Sequence, residues 1–377
     1  MKIAVLGAGM VGKTIVADLA KMHDVISIDI NESNLQQVQQ MCNAKVFRAD
    51  LQSPDSYAAI LAQQDMCVTA VPGFMGYGVL ETVLTAGKNV VDISFFPEDP
   101  FALHALAVEK NVTAIVDCGV APGVPNLVLG YHNQLMKVEQ FDYMVGGLPK
   151  VRTKPFEYKA PFSPIDVIEE YTRPARMIIN GKAAVKPAMS DLELVEIDHV
   201  GTLEAFNTDG LRTLLTTMPQ IIEMKEKTLR YPGHAAQIIA LQQAGFFNTN
   251  PITIGDVSIS PLAFTSKILF DQWTLLPGEE EITVMQINII GTVNNKKTHL
   301  QYNLHDAYDA VTKLSSMSRT TGYTCTAAVE LLAKKLFTES GVFPPELIGQ
   351  HENCYNFMMQ YLAERNVIYN ITTRDLS

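Results

Sequence analysis

Short apolar runs separated by longer amphipathic stretches organise the first third of the chain. The runs are Ile3-Ala4-Val5-Leu6, Val25-Ile26-Ser27-Ile28, Cys67-Val68-Thr69-Ala70-Val71, Asn89-Val90-Val91-Asp92 and Thr113-Ala114-Ile115-Val116. Such continuous runs, rich in β-branched residues, fit strands buried on both faces of a parallel sheet. Helical patterns lie between them, near residues 11–21, 32–42, 54–63, 77–87 and 100–109. Ser53-Pro54 and Asp99-Pro100 each place a cap residue before a proline at the first helical position. The alternation predicts a doubly wound α/β sheet.

Past about residue 125 the rhythm changes. Residues 281–291 and 298–304 read as two strands joined by Asn294-Asn295-Lys296-Lys297, the second alternating Leu300, Tyr302 and Leu304. That is an antiparallel hairpin, and it predicts a mixed α+β domain. The tail holds a helical pattern at 323–336, a break at Pro344-Pro345, a second helix near 353–364 and a short strand at 367–371. The organisation expected is a nucleotide-binding domain over 1–124, an α+β domain over 125–322 and a tail over 323–377.

Composition narrows the function classes. A chain of 377 residues with 47% hydrophobic and 18% charged residues can bury more than one core. A net charge of -11 provides no basic face for a phosphate backbone, so nucleic acid is not an expected partner. The five cysteines (Cys42, Cys67, Cys118, Cys325, Cys354) are scattered, with no metal-ligand spacing or disulfide framework. No apolar window reaches membrane-spanning length, and the N-terminus lacks signal-peptide character. A cytoplasmic protein with no membrane association is expected.

Gly7-Ala8-Gly9-Met10-Val11-Gly12 follows a predicted strand and opens a predicted helix. In a dinucleotide fingerprint Gly7 makes the tight turn, Gly9 admits the pyrophosphate, and Gly12 lets helix and strand approach. With Lys13 and Thr14 the same residues also satisfy the P-loop pattern, which makes a nucleotide triphosphatase a competitor. Asp29 decides for the dinucleotide, since it ends the second strand where a carboxylate can accept the ribose hydroxyls. A carboxylate there repels a 2′-phosphate, and no arginine follows in Ile30-Asn31-Glu32-Ser33, so NAD is favoured over NADP.

Ligands of open α/β sheets lie beyond the carboxyl ends of the strands. Asp50 and Leu51, Ala70 through Val71-Pro72-Gly73, Asp92 to Ser94, and Asp117 to Gly123 are therefore the cleft candidates, with Asp50 assigned to the adenine amine. Asp117-Cys118-Gly119-Val120-Ala121-Pro122-Gly123 should lie nearest the nicotinamide; Cys118 is either a weak proton donor or a space filler. In the second domain Thr208, Asp209 and Arg212 crowd around Gly210, and Arg212 reads either as a bidentate clamp for a substrate carboxylate or as a surface ion pair. Tyr231 and His234 flank a Pro-Gly turn, and either can serve as acid or base.

The chain resembles the saccharopine dehydrogenase-like family, and within it the lysine 6-dehydrogenases of bacteria and archaea. The resemblance rests on the glycine loop, Asp117 to Leu127, Val145-Gly146-Gly147-Leu148-Pro149, and Glu157-Tyr158 with Glu169-Glu170-Tyr171-Thr172. It continues through Glu204-Ala205-Phe206, Thr228-Leu229-Arg230-Tyr231 with Gly233-His234, and Gly341 to Glu346. The long middle motifs set the P-loop reading aside. The resemblance implies a Rossmann doubly wound parallel sheet with an inserted α+β domain for catalysis and dimerisation, a tail that returns to the first domain, and a homodimer. It also implies oxidation at the C–N bond of an amino acid. His234, Tyr231 and Asp117 are the candidate proton acceptors, and Glu157 joins Thr208, Asp209 and Arg212 on the substrate side. Arg212 is a departure from the lysine enzymes, and it points to a substrate with an added carboxylate, such as saccharopine. Another amine adduct of carboxynorspermidine type, or an NAD-binding sensor without turnover, are the alternatives.

Overall fold

The computed structural model describes residues 1–376. Six parallel strands, β1 (Lys2–Leu6), β2 (Asp24–Asp29), β3 (Lys45–Arg48), β4 (Met66–Thr69), β5 (Asn89–Asp92) and β6 (Thr113–Ile115), alternate with helices. A seventh, Gly341–Phe343, arrives from the far end of the chain and pairs in parallel with β6. The spatial order is Gly341–Phe343, β6, β5, β4, β1, β2, β3. It reverses at β1 and β4, so both faces carry helices and a crevice opens above the carboxyl ends of these two strands. The central strands are apolar throughout because both faces are covered: Ile3, Ala4, Val5 and Leu6 are all fully buried.

The sequence pattern finds each of these strands except β3 and the three-residue Gly341–Phe343. Lys-Val-Phe-Arg at 45–48 is an edge strand with mostly exposed side chains, so no continuous apolar run marks it. The helical stretches expected at 54–63 and 100–109 begin as 3-10 turns at Pro54–Ser56 and Pro100–Leu103.

The second sheet has the order Glu193–Ile197, Gly201–Asn207, Glu223–Arg230, Lys137–Pro149, Glu281–Val293, Lys296–Ala307, Tyr369–Asp375. Only Glu223–Arg230 and Lys137–Pro149 run parallel; the other neighbours are antiparallel. The expected hairpin is present, with strands longer than the alternation predicts. Asn294 and Asn295 adopt φ of 50° and 65°, the two left-handed residues that a tight hairpin turn requires.

The chain beyond 316 divides between the two sheets. Helix Ser316–Ala333 begins ahead of the 322/323 boundary and lies across the first helix of the chain, α1 (Met10–Leu19). Strand Gly341–Phe343 extends the first sheet, while Tyr369–Asp375 closes the second. No helix among the described residues is long and apolar enough to cross a membrane.

Candidate active site

The glycine loop is shaped by close backbone contacts. Gly7 has φ of +105°, and a Cβ on it would stand 2.2 Å from the Ala70 carbonyl oxygen. A Cβ on Gly12 would stand 2.2 Å from the Gly7 carbonyl oxygen, whereas one on Gly9 would meet nothing within 4 Å. Gly7 and Gly12 therefore let β1, β4 and α1 converge, and Gly9 faces open space. The α1 N-terminus carries no capping side chain and no acidic residue in its first turn, so its free N–H groups and positive dipole end fit an anionic pyrophosphate. Lys13 is turned away, donating to Gln37 at 2.9 Å, and Thr14 is buried inside the helix. Neither side chain occupies its P-loop role.

Asp29 ends β2 beside this loop. One carboxylate oxygen accepts from Ala8 N at 2.7 Å and the other from Asn31 N at 2.7 Å. Asp50 follows β3 and accepts from Gln52 N at 3.0 Å, with Leu51 buried next to it. Asp92 is fully buried at the end of β5, where it accepts from the Thr69 hydroxyl and from Ser94 N; burial raises its carboxyl to about 7. Ser94 in turn accepts from Val71 N at 3.4 Å. Asp92 and Ser94 thus brace the turn after β4 from behind.

From the loop a single cleft of about 440 Å³ runs between the two sheets. Gly9, Met10, Val11 and Gly12 form its nucleotide end, and Ala70, Val71 and Pro72 one wall. Asp117 faces it from the end of β6, while Thr208, Asp209, Glu226 and Arg230 face it from the second domain. Pairing accounts for most of the charge. Arg212, buried at 3% exposure, grips Asp117 through Nε and Nη2 at 3.0–3.2 Å and donates from Nη1 to the Phe96 carbonyl. Arg176 holds Asp209 through two contacts of 2.8 Å. Arg230 donates to the Tyr171 hydroxyl at 3.0 Å, to Glu170 at 3.1 Å and to the Leu229 carbonyl at 2.9 Å. Arg173 pairs with Glu169, and its Nη1 is buried without a hydrogen-bond partner.

Several sequence candidates sit elsewhere. Arg212 is not among the residues that line the cleft: its guanidinium is taken by Asp117 and the Phe96 carbonyl, which fixes the cleft wall. His234 is buried behind Tyr171, accepting from that hydroxyl at 2.9 Å through Nε2 and donating from Nδ1 to the Phe156 carbonyl at 3.1 Å. Burial, with the Arg230 charge, lowers its pKa to about 3, so it stays neutral. Tyr231 donates to the Pro149 carbonyl at 3.0 Å beneath the Arg152 guanidinium. Cys118 is fully buried against the Thr324 carbonyl, with its thiol pushed far up by burial. Glu157 pairs with Arg152 and Lys154 at the periphery.

The sequence reading does not single out Glu226 and Asp166. Glu226 is 4% exposed; one of its oxygens accepts from the Thr208 hydroxyl at 2.6 Å and from Gly210 N at 3.1 Å. Burial raises its carboxyl to about 8. Asp166, also on the cleft wall, accepts from Gly73 N at 3.4 Å and is raised to about 6 by burial. In Glu223–Arg230 the charges at Glu223, Lys225, Glu226 and Lys227 read as a solvated strand. The one available signal was Glu226 lying between two lysines on a strand that leads into the Thr228-Leu229-Arg230-Tyr231 motif.

Comparison with known proteins agrees with this architecture. Residues 3–115 match the family described as saccharopine dehydrogenase NADP binding domain, and residues 119–368 the saccharopine dehydrogenase C-terminal domain. The bovine mitochondrial alpha-aminoadipic semialdehyde synthase is 22% identical over 285 residues, 70% of this chain and 30% of the relative. Saccharopine dehydrogenase [NADP(+), L-glutamate-forming] of Saccharomyces cerevisiae is 22% identical over 280 residues, covering 71% of this chain and 62% of the relative. The chain thus spans less than two thirds of the length of either. The solved apo structure of saccharopine dehydrogenase (L-Glu forming) from Saccharomyces cerevisiae superposes with a TM-score of 0.81 at 17% identity, covering 99% of each chain.

Proposed function

The chain belongs to the saccharopine dehydrogenase family, and on that premise we propose that it is an NAD-dependent oxidoreductase acting on the C–N bond of an amino acid, by loss of a lysine ε-amine or by saccharopine-type cleavage. The observation that carries this reading is the continuity of one cleft from the glycine loop to the carboxylates Asp117, Asp166 and Glu226. A protein that only sensed nucleotide would need no such groups there. A bound pyridine nucleotide supplies the hydride acceptor; the protein must hold the amine and take its proton. Glu226 replaces His234 and Tyr231 as the proton acceptor. Its carboxyl, raised to about 8, releases its proton near the range in which amines do. Asp117, clamped by Arg212, lines the same cleft.

Asp29 supports NAD, because its carboxylate repels a 2′-phosphate. Arg48 favours the other nucleotide: it stands opposite Asp29 in register on β3, mostly exposed, at the position where a 2′-phosphate would meet a guanidinium. The test is reduced-nucleotide formation from NAD and from NADP, with L-lysine and with saccharopine. Turnover with NAD that rises with pH through about 8 is the expected result. No reduction with either nucleotide and either amino acid sinks the proposal.

A further inference from the structure

Glu226, Thr228 and Arg230 are alternate residues of the strand Glu223–Arg230, so their side chains leave the same face of the second sheet. Two residues along a strand span about 7 Å, too far for Glu226 and Thr228 to bond each other directly. Thr208 bridges the gap. It follows the neighbouring strand Gly201–Asn207 and stands opposite Glu226, donating its backbone N–H to the Glu226 carbonyl at 3.4 Å. Its hydroxyl donates to the Glu226 carboxylate at 2.6 Å and lies 2.8 Å from the Thr228 hydroxyl. A hydroxyl has one proton to give, so with that of Thr208 on Glu226 the bond between the threonines runs from Thr228 to Thr208. The chain Thr228, Thr208, Glu226 is therefore ordered in one direction, and it ends on a carboxylate that forms no ion pair among the described residues. All three residues are 4% exposed, and all three line the cleft.

The far end of this chain is open. The Thr228 hydroxyl has no partner but Thr208 among the described residues, and an oxygen that donates once still has lone pairs to accept with. Glu226 is less available. One of its oxygens already takes the Thr208 hydroxyl and Gly210 N, and a Cβ on Gly210 would stand 2.7 Å from the carboxyl carbon. The Tyr143 hydroxyl, donating to the Gly210 carbonyl at 2.7 Å, holds that turn in place. Resting on the dehydrogenase reading, we propose that Thr228 is the group that meets the substrate ammonium and that Thr208 carries the proton on to Glu226. The N–H bond of the ammonium breaks as Thr228 Oγ1 takes its proton. Thr228 gives its own proton to Thr208 Oγ1, and Thr208 gives its own to Glu226 Oε2. The carboxylate ends neutral, both hydroxyls end as hydroxyls, and the amine keeps the electron pair that drives hydride loss to the nucleotide. Valine has the shape of threonine and would leave no hydroxyl to satisfy in this wall; what the two hydroxyls add is the path.

The experiment follows nucleotide reduction as a function of pH, with NAD and NADP and with L-lysine and saccharopine. It compares wild type with Thr228→Val, Thr228→Ser, Thr208→Val, the double valine variant and Glu226→Gln. Melting curves by circular dichroism on the same preparations show which variants are folded. Wild-type kcat is expected to rise with pH and level off above about 8, where Glu226 is ionised. Thr228→Val should lower kcat by roughly 10²-fold, the order that one positioned acid–base group supplies, with KM little changed. Its rate should climb with pH without that plateau, because hydroxide then takes the proton. Thr228→Ser should restore both the rate and the plateau. Thr208→Val breaks the same chain, so it should match Thr228→Val, it reports on the relay if Thr228→Val does not fold, and the double variant should be no slower than either single one. Wild-type rates in a folded Thr228→Val or Thr208→Val protein overturn the relay, as do losses that multiply in the double variant; if Glu226→Gln is inactive in that case, the dehydrogenase reading stands. No reduction by the wild type with any of these pairs removes the dehydrogenase reading and the relay together.

Discussion

Replacing Arg212 by alanine separates two jobs that the same side chain can do. If the guanidinium held substrate, the variant would keep its stability and lose substrate affinity. In the structure it is 3% exposed against an Asp117 that is 1% exposed, and its remaining nitrogen satisfies the Phe96 carbonyl. Truncation therefore leaves a buried carboxylate without its cation and a carbonyl without its donor, a loss of about 3–5 kcal/mol. Unfolding entropy near 2.1 cal/mol/K per residue, over 377 residues, gives ~0.8 kcal/mol per degree. The expected fall in melting temperature is thus ~4–6 °C if the chain unfolds as one unit. Thermal unfolding followed by circular dichroism measures it, with KM determined on the same preparations. Adding Asp117→Asn to the Arg212→Ala protein should recover part of the loss, because it removes the stranded charge. An Arg212→Ala protein that melts within a degree of wild type while its substrate KM rises tenfold would refute the ion-pair role.

Three further outcomes are expected. Gly12→Ala, whose Cβ would lie 2.2 Å from the Gly7 oxygen, should lower the melting temperature and weaken nucleotide binding together. Gly9→Ala, whose Cβ meets nothing within 4 Å, should weaken binding without a loss of stability; titration of reduced-nucleotide fluorescence alongside melting curves checks both. His234 is held neutral to about 3 by burial, against about 6.5 when unfolded, so its contribution to stability is complete above about 6.5 and is lost as pH falls toward 3. His132, lowered to about 4 by burial, acts with the same sign. Melting temperature should therefore decline from pH 6.5 to 4 less steeply in His234→Gln than in wild type, and parallel curves would refute the assignment.

The parts of the fold legible in the sequence are those with one dominant physical cause. Central parallel strands must be apolar on both faces, so β1, β4 and β5 announce themselves, whereas the exposed edge strand β3 does not. The glycine loop is legible because Gly7 and Gly12 answer a steric demand that no other residue meets. The cleft chemistry is less so, because charge looks alike in sequence whether it is solvated, paired or left over. Arg212 and Glu226 are both polar residues in polar surroundings along the chain. Only folding shows that Arg212 is matched to Asp117, ninety-five positions away, and that Glu226 forms no ion pair among the described residues. His234 misleads for a related reason: a histidine beside a Pro-Gly turn looks exposed, yet it is packed among Tyr158, Tyr171 and Trp273.

The spacing between the glycine loop and Glu226 depends on a segment that contributes little to either end directly. Helix Ser316–Ala333 is pinned to the second sheet at its start, where Glu281 accepts from Ser316 N at 2.8 Å and Met317 N at 2.7 Å and Arg319 pairs with Asp306 at 3.1 Å. Along its length it lies on α1, close enough that a Cβ on Gly322 would stand 3.3 Å from Thr14. Asp18 of α1 then accepts from Thr326, Tyr361 and Arg365 at 2.8–2.9 Å, tying the tail to the helix that begins in the glycine loop. Met317 and Thr321 of the same helix line the cleft. One helix therefore touches the nucleotide-binding helix, the substrate sheet and the cavity between them. A buried carboxylate caps its start and another anchors its flank, so sliding it would strand both charges.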